Sequence, residues 1–124
     1  MRLIKEAEAP RFELPGLTFA GFAAPSRGSA ELCAWRLTVA PGTAAPDAHT
    51  LDRDEIFMVI SGAIRLGPEA EVVAAGDTAV VPAGAPIQLS NAGDGPAEVV
   101  VAIRAGFAAR TADGAQIGTP PWAQ

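Results

Sequence analysis

The chain has 124 residues but a single histidine, His49, and a single cysteine, Cys33, so chemistry that needs imidazole or thiolate is confined to very few positions. Glu55 follows His49 by six residues, and Asp47 precedes it by two. A lone imidazole close to a carboxylate is suited to general acid and base work near neutral pH. The competing reading is structural: His49 does no more than hydrogen-bond Glu55. If the segment before Glu55 is extended, Asp47 and His49 share a face, and Asp47, His49 and Glu55 become a carboxylate-rich set for a divalent ion. Cys33 from a neighbouring strand is the other candidate ligand. No histidine, lysine or helix start lies near Cys33 in sequence, so as a thiol it reads as buried and inert.

The elements that must position these groups are strands. Glu55 opens a run, Glu55 to Ile60, in which Glu55, Phe57 and Val59 alternate with Ile56, Met58 and Ile60. The first set faces inward and the second covers an outer face that needs a partner layer or a second subunit. Leu17 to Phe22, Leu32 to Val39, Thr78 to Val81 and Ala97 to Ile103 read as strands for the same reason: they are short, branched or aromatic, and bounded by turns. Those turns include Pro15-Gly16, Pro41-Gly42, Ser61-Gly62, Gly76-Asp77 and Pro82-Ala83-Gly84. Helical periodicity of useful length is absent. The pattern is all-β, a sandwich or closed barrel. The ending Gly118-Thr119-Pro120-Pro121-Trp122 excludes regular helix and central strand, which predicts an extended tail anchored by Trp122.

Two segments resemble the paired motifs of the cupin superfamily. The first, G(x)5HxH(x)3-4E(x)6G, is echoed by Gly42, His49, Glu55 and Gly62; the second, G(x)5PxG(x)2H(x)3N, by Gly76, Pro82, Gly84 and Asn91, with Ile87 where the histidine belongs. A three-residue gap before Glu55 puts His49 and Leu51 at the two histidine positions, whereas a four-residue gap puts Ala48 and Thr50 there. Neither restores the pair.

The resemblance implies a double-stranded β-helix, a jelly-roll barrel of two antiparallel sheets, with the motif residues lining one open end. It divides the chain into N-terminal strands and arm (1–30), a barrel core with both motifs (31–106) and a C-terminal strand and tail (107–124), all in one domain. It also implies a transition-metal site built from three histidines and the glutamate. With hydrocarbon at 51 and 87, at most His49 and Glu55 survive, and two ligands bind weakly. The expectation is therefore a barrel that binds a small molecule without metal or other cofactor. Its pocket would be walled by Trp35, Arg36, Leu51, Phe57, Val59, Ile87 and Leu89. Two alternatives stand beside it: a metal-independent isomerase, cyclase or lyase that uses Glu55 and His49 as acid and base, and a metal-dependent enzyme with a site rebuilt through Asp47 or Cys33.

Composition narrows the partners. The net charge is -5, from fourteen acidic and nine basic residues, so there is no basic face for nucleic acid. Arg36, Arg65 and Arg104 are the candidates for orienting an anionic ligand, or else surface residues with packed stems. The first residues lack a signal-peptide core, no run reaches the length of a membrane span, and one cysteine allows no internal disulfide. A cytoplasmic protein that pairs with itself as a homodimer is the expectation.

Overall fold

The structure, a computed structural model, describes residues 1–124. Twelve strands follow one another: β1 (Arg11–Leu14), β2 (Leu17–Ala23), β3 (Leu32–Val39), β4 (His49–Leu51), β5 (Glu55–Ser61), β6 (Ala63–Arg65), β7 (Val73–Ala74), β8 (Thr78–Val81), β9 (Ser90–Asn91), β10 (Ala97–Arg104), β11 (Ala109–Thr111) and β12 (Gln116–Ile117). The helical elements are single 3-10 turns, at Glu6–Glu8, Pro25–Arg27 and Pro121–Ala123. No helix is long and apolar enough to cross a membrane.

The long apolar runs make the first layer, a six-stranded antiparallel sheet in the order β1-β2-β3-β10-β5-β8. The second layer consists of two three-stranded sheets, β12-β11-β4 and β7-β6-β9. Isolated bridges from His49 to Ile87 and from Ala44 to Ser90 stitch these two together, so the layer is continuous in space. Two antiparallel layers closed on each other are a jelly-roll barrel, the all-β architecture the turn spacing and motifs predict. The five strands legible in the sequence begin at the expected residues, and three run one residue beyond the expected end. The short strands of the second layer carry too few apolar residues to announce themselves.

Alternation decides what faces the interior. Along β3, Cys33, Trp35, Leu37 and Val39 are buried while Ala34, Arg36 and Thr38 are half-buried on the other side. β10 repeats this with Ala97, Val99, Val101 and Ile103, and β5 with Glu55, Phe57 and Val59. The inward residues join Ile64, Leu66, Ile87, Leu89 and Phe107 in one core. Each fully buried branched or aromatic side chain contributes about 1.5–3 kcal/mol of transfer free energy. A slip of one residue in β5 would exchange Phe57 for Met58 and put Glu55 outside, so core packing holds the register that aims the glutamate inward.

Gly62 closes the tight connection from β5 to β6 at φ +72°, where a Cβ would lie 2.6 Å from the Pro96 carbonyl oxygen. Glycine is required there twice over, by dihedral and by space.

The tail ends in the 3-10 turn at Pro121–Ala123, with proline at its start, rather than staying extended throughout. Trp122 stacks on Phe19, ring centroids 3.7 Å apart and planes within 10°. Arg27 clasps this turn: its Nε donates to the Phe22 carbonyl at 3.2 Å and its Nη2 to the Trp122 carbonyl. Cys33 Sγ donates to the Ala123 carbonyl at 3.3 Å, so the docked tail covers the only thiol.

Candidate functional site

Between the inner face of the large sheet and β4 and β11 lies a cavity of about 360 Å³. Trp35 from β3, Val101 from β10 and Phe57 from β5 are register partners in one row across the sheet, and all three reach it. Leu51 and Ala109, paired across β4 and β11, form part of the opposite wall with Ile87 and Leu89. Apart from His49, Glu55, Gly118 and Pro120, every lining residue is apolar. A wider groove of about 680 Å³ runs along β8 past Glu71 and Asp77, but it is more open and holds neither His49 nor Glu55.

Glu55 is the only charged residue in the chain that is buried, at 4% exposure. Its neighbours across the ladder are Val81 and Ile103. Burial alone pushes its carboxyl up to about 8; no hydrogen bond or neighbouring charge contributes. His49 is likewise shifted below the usual imidazole range by burial alone. The expected bond between the two is thus not formed. At neutral pH burial favours a protonated carboxylic acid at Glu55, which in water would be ionised, beside a neutral imidazole at His49.

The backbone selects between the two motif registers. Leu51 is buried and lines the cavity with His49, whereas Thr50 lies between them on the opposite face and Ala48 is not in the wall. His49 and Leu51 therefore occupy the inward positions of the first motif. Ile87, 2% exposed, takes the position of the second motif's histidine directly opposite His49.

Nowhere in the chain do three histidine, cysteine or acidic side chains come together as a metal cluster requires. Asp47 is exposed and outside the cavity wall, because the chain is not yet a strand at that residue and the two-residue spacing to His49 does not translate into a shared face. Cys33 shares a register row with Ile103 and Glu55 but stands two strands from the glutamate, roughly 10 Å away, under the tail. The rebuilt set of Asp47, Cys33, His49 and Glu55 is not assembled. One imidazole and one carboxyl remain, short of the three protein ligands of a catalytic metal site, and the residues present do not fit the metal of the motif.

Two further expectations for the wall are corrected. Arg36 is on the outer face of β3, where its Nη1 meets Glu6 Oε1 at 3.0 Å; strand alternation opposes it to Trp35. Val59 is buried but lies beyond the cavity, since the inward row of β5 passes from lumen to packed core after Phe57. Arg65 and Arg104 are exposed and do not reach the lumen. Sequence reading missed Leu37 and Val101, although alternation with Trp35 and within β10 pointed to both. It also missed Phe19, Phe107 and Trp122 as wall residues, which come together only through the fold of the tail.

A two-layer jelly-roll whose apolar lumen holds the motif positions His49, Leu51, Glu55 and Ile87 defines the class. Residues 35–103 match the family described as Cupin domain, more than half of the chain, and the protein belongs to that family. Among solved structures, the polyketide cyclase RemF from Streptomyces resistomycificus is similar at TM-score 0.73 and 14% identity, over 84% of this chain and 79% of that one. An RmlC-like cupin protein from Ralstonia eutropha gives 0.72 and 16%, over 97% and 78%. KdgF from Halomonas gives 0.66 and 19%, over 81% and 91%. No curated protein matches in sequence. At these identities the likeness is one of fold.

Proposed function

We propose that the barrel binds a small molecule in its lumen without a metal ion, with Glu55 and His49 as the two polar contacts. The observation that carries this is the burial of Glu55 in a cavity otherwise walled by hydrocarbon. An unpaired buried acid costs stability, and a ligand that accepts its proton in a hydrogen bond offsets the cost. Elemental analysis of protein purified without chelator tests the metal-free part: no ion at stoichiometric level is expected, and a stoichiometric ion overturns it.

The opposed protonation of the two groups favours a second reading, metal-independent proton transfer of the isomerase, cyclase or lyase kind. Glu55 donates its proton to a carbonyl oxygen while neutral His49 takes a proton from the adjacent carbon, which leaves an enol, a carboxylate and an imidazolium. Loss of turnover in both Glu55→Gln and His49→Ala on an identified substrate supports it; unchanged turnover ends it.

The outer face of β5 and β8 is the proposed self-association surface. Ile60 and Val80 are exposed there at 56% and 63%, beside half-buried Ile56 and Met58. A homodimer in sedimentation that dissociates in Ile60→Lys is the expected result.

A further inference from the structure

Resting on the reading of the lumen as a binding site, we infer that its ligand class is a neutral, flat, largely hydrocarbon molecule of one or two rings, with a single carbonyl or hydroxyl oxygen set against Glu55. Three independent features of the lumen lead there.

The first is size. An apolar cavity of about 150 Å³ accepts one benzene ring, so 360 Å³ holds about two. The second is the wall. Trp35, Trp122, Phe19, Phe57 and Phe107 are five of the seven aromatic residues in the chain, two tryptophans and five phenylalanines, and all five line this one space. Aromatic faces favour a flat π-system over a saturated polyol, whose hydroxyls would find only two polar partners here.

The third is charge. None of the nine lysine and arginine residues lines the lumen. Arg36 is paired with Glu6 on the outside, and Arg27 is spent on the tail. A carboxylate or phosphate would enter without a counterion and meet the Glu55 carboxyl. His49 is the only other titratable group facing Glu55, since its ladder neighbours are Val81 and Ile103. A carbonyl acceptor uses the proton that burial holds on Glu55; an ammonium would have to displace it.

Three probes on one ring system separate the classes: 2-acetonaphthone, 2-naphthoate and 2-naphthylmethylammonium, titrated calorimetrically into the full chain at about pH 6 and about pH 9. The ketone is expected to bind at least about tenfold tighter than the naphthoate at the lower pH and to weaken at the higher. Because both tryptophans of the chain line the lumen, their emission should change on saturation. Glu55→Gln, which cannot ionise, should lose the pH dependence of ketone binding, and a pH dependence that persists in this variant overturns the assignment of the oxygen to Glu55. Tighter binding of the naphthoate or the ammonium, with altered emission, overturns the ligand class but leaves the lumen as a binding site. Ketone binding without altered emission also overturns it. Failure of all three probes overturns the class while the metal-free reading still stands or falls on elemental analysis.

Discussion

His49 and Ile87 face each other across an antiparallel bridge: the His49 amide donates to the Ile87 carbonyl at 3.0 Å, and the Ile87 amide donates back at 2.8 Å. Directly opposed residues in such a pair project to the same side, and both side chains reach the lumen. A sec-butyl group thus sits opposite the only imidazole, at one of the two positions where the motif calls for a further nitrogen donor.

It follows that two substitutions should rebuild a metal centre. Leu51→His with Ile87→His would set three imidazoles and Glu55 around one space. The double variant is expected to bind Co²⁺ with a visible absorption band, and roughly a hundredfold or more tighter than the unaltered protein. Equal affinities in a titration would show that the backbone, and not the two hydrocarbon side chains, excludes the ion.

Glu55 and His49 make opposite contributions to stability with pH. Between its ordinary value of 4.5 and about 8, Glu55 keeps its proton in the folded state and loses it in the unfolded state, so stability falls as pH rises through that window. His49, with a folded value below 6.5, acts in the other direction: as pH drops below 6.5 the unfolded state gains a proton that the folded state refuses. Below 6.5 the two oppose each other, and above it the Glu55 contribution dominates, at about 1.4 kcal/mol per pH unit until the pH nears 8. Denaturant unfolding of the unaltered protein and Glu55→Gln between pH 6.5 and 8 should show this slope in the difference between them. A difference independent of pH would mean that Glu55 ionises normally.

Removal of Trp122 should release the tail. The stacked contact with Phe19 holds the turn that covers Cys33. Trp122→Ala is expected to cost roughly 2–3 kcal/mol, less than a fully buried tryptophan, and to speed labelling of Cys33 by a thiol reagent. Unchanged labelling would show that the hydrogen bonds from Arg27 to the Trp122 carbonyl and from Ser26 to the Gln124 carbonyl keep the tail docked without the ring.

Two glycines at similar dihedrals should differ in tolerance. Gly42 has φ +74° with open space around it, so Gly42→Ala carries only the backbone penalty of about 1–2 kcal/mol. Gly62→Ala adds contacts of 2.6 Å to the Pro96 carbonyl and 2.8 Å to Ala97 Cα, and roughly 1–3 kcal/mol more is expected. Equal unfolding midpoints for the two variants would contradict the close approach.

The long strands were legible because each carries a period-two pattern with turn residues at both ends, from Leu32–Val39 to Ala97–Arg104. So was the inward aim of Glu55, which shares a face with Phe57 and Val59. β4, β9, β11 and β12 have two or three residues each, too few for a period to be read, and their pairing depends on partners distant in the chain. Asp47 failed as a ligand for a related reason: the two-residue rule applies only where a strand has begun, and β4 begins at His49.

The chain's residues by themselves determined the all-β class, the turn positions and the loss of imidazoles from the motif, since these depend on local pattern and residue type. The tertiary structure decided which register of the first motif faces inward, and that five aromatic rings line the cavity that holds Glu55. Those outcomes depend on which strands pair across long separations, and pairing is settled by the packing of the whole core rather than by any one segment.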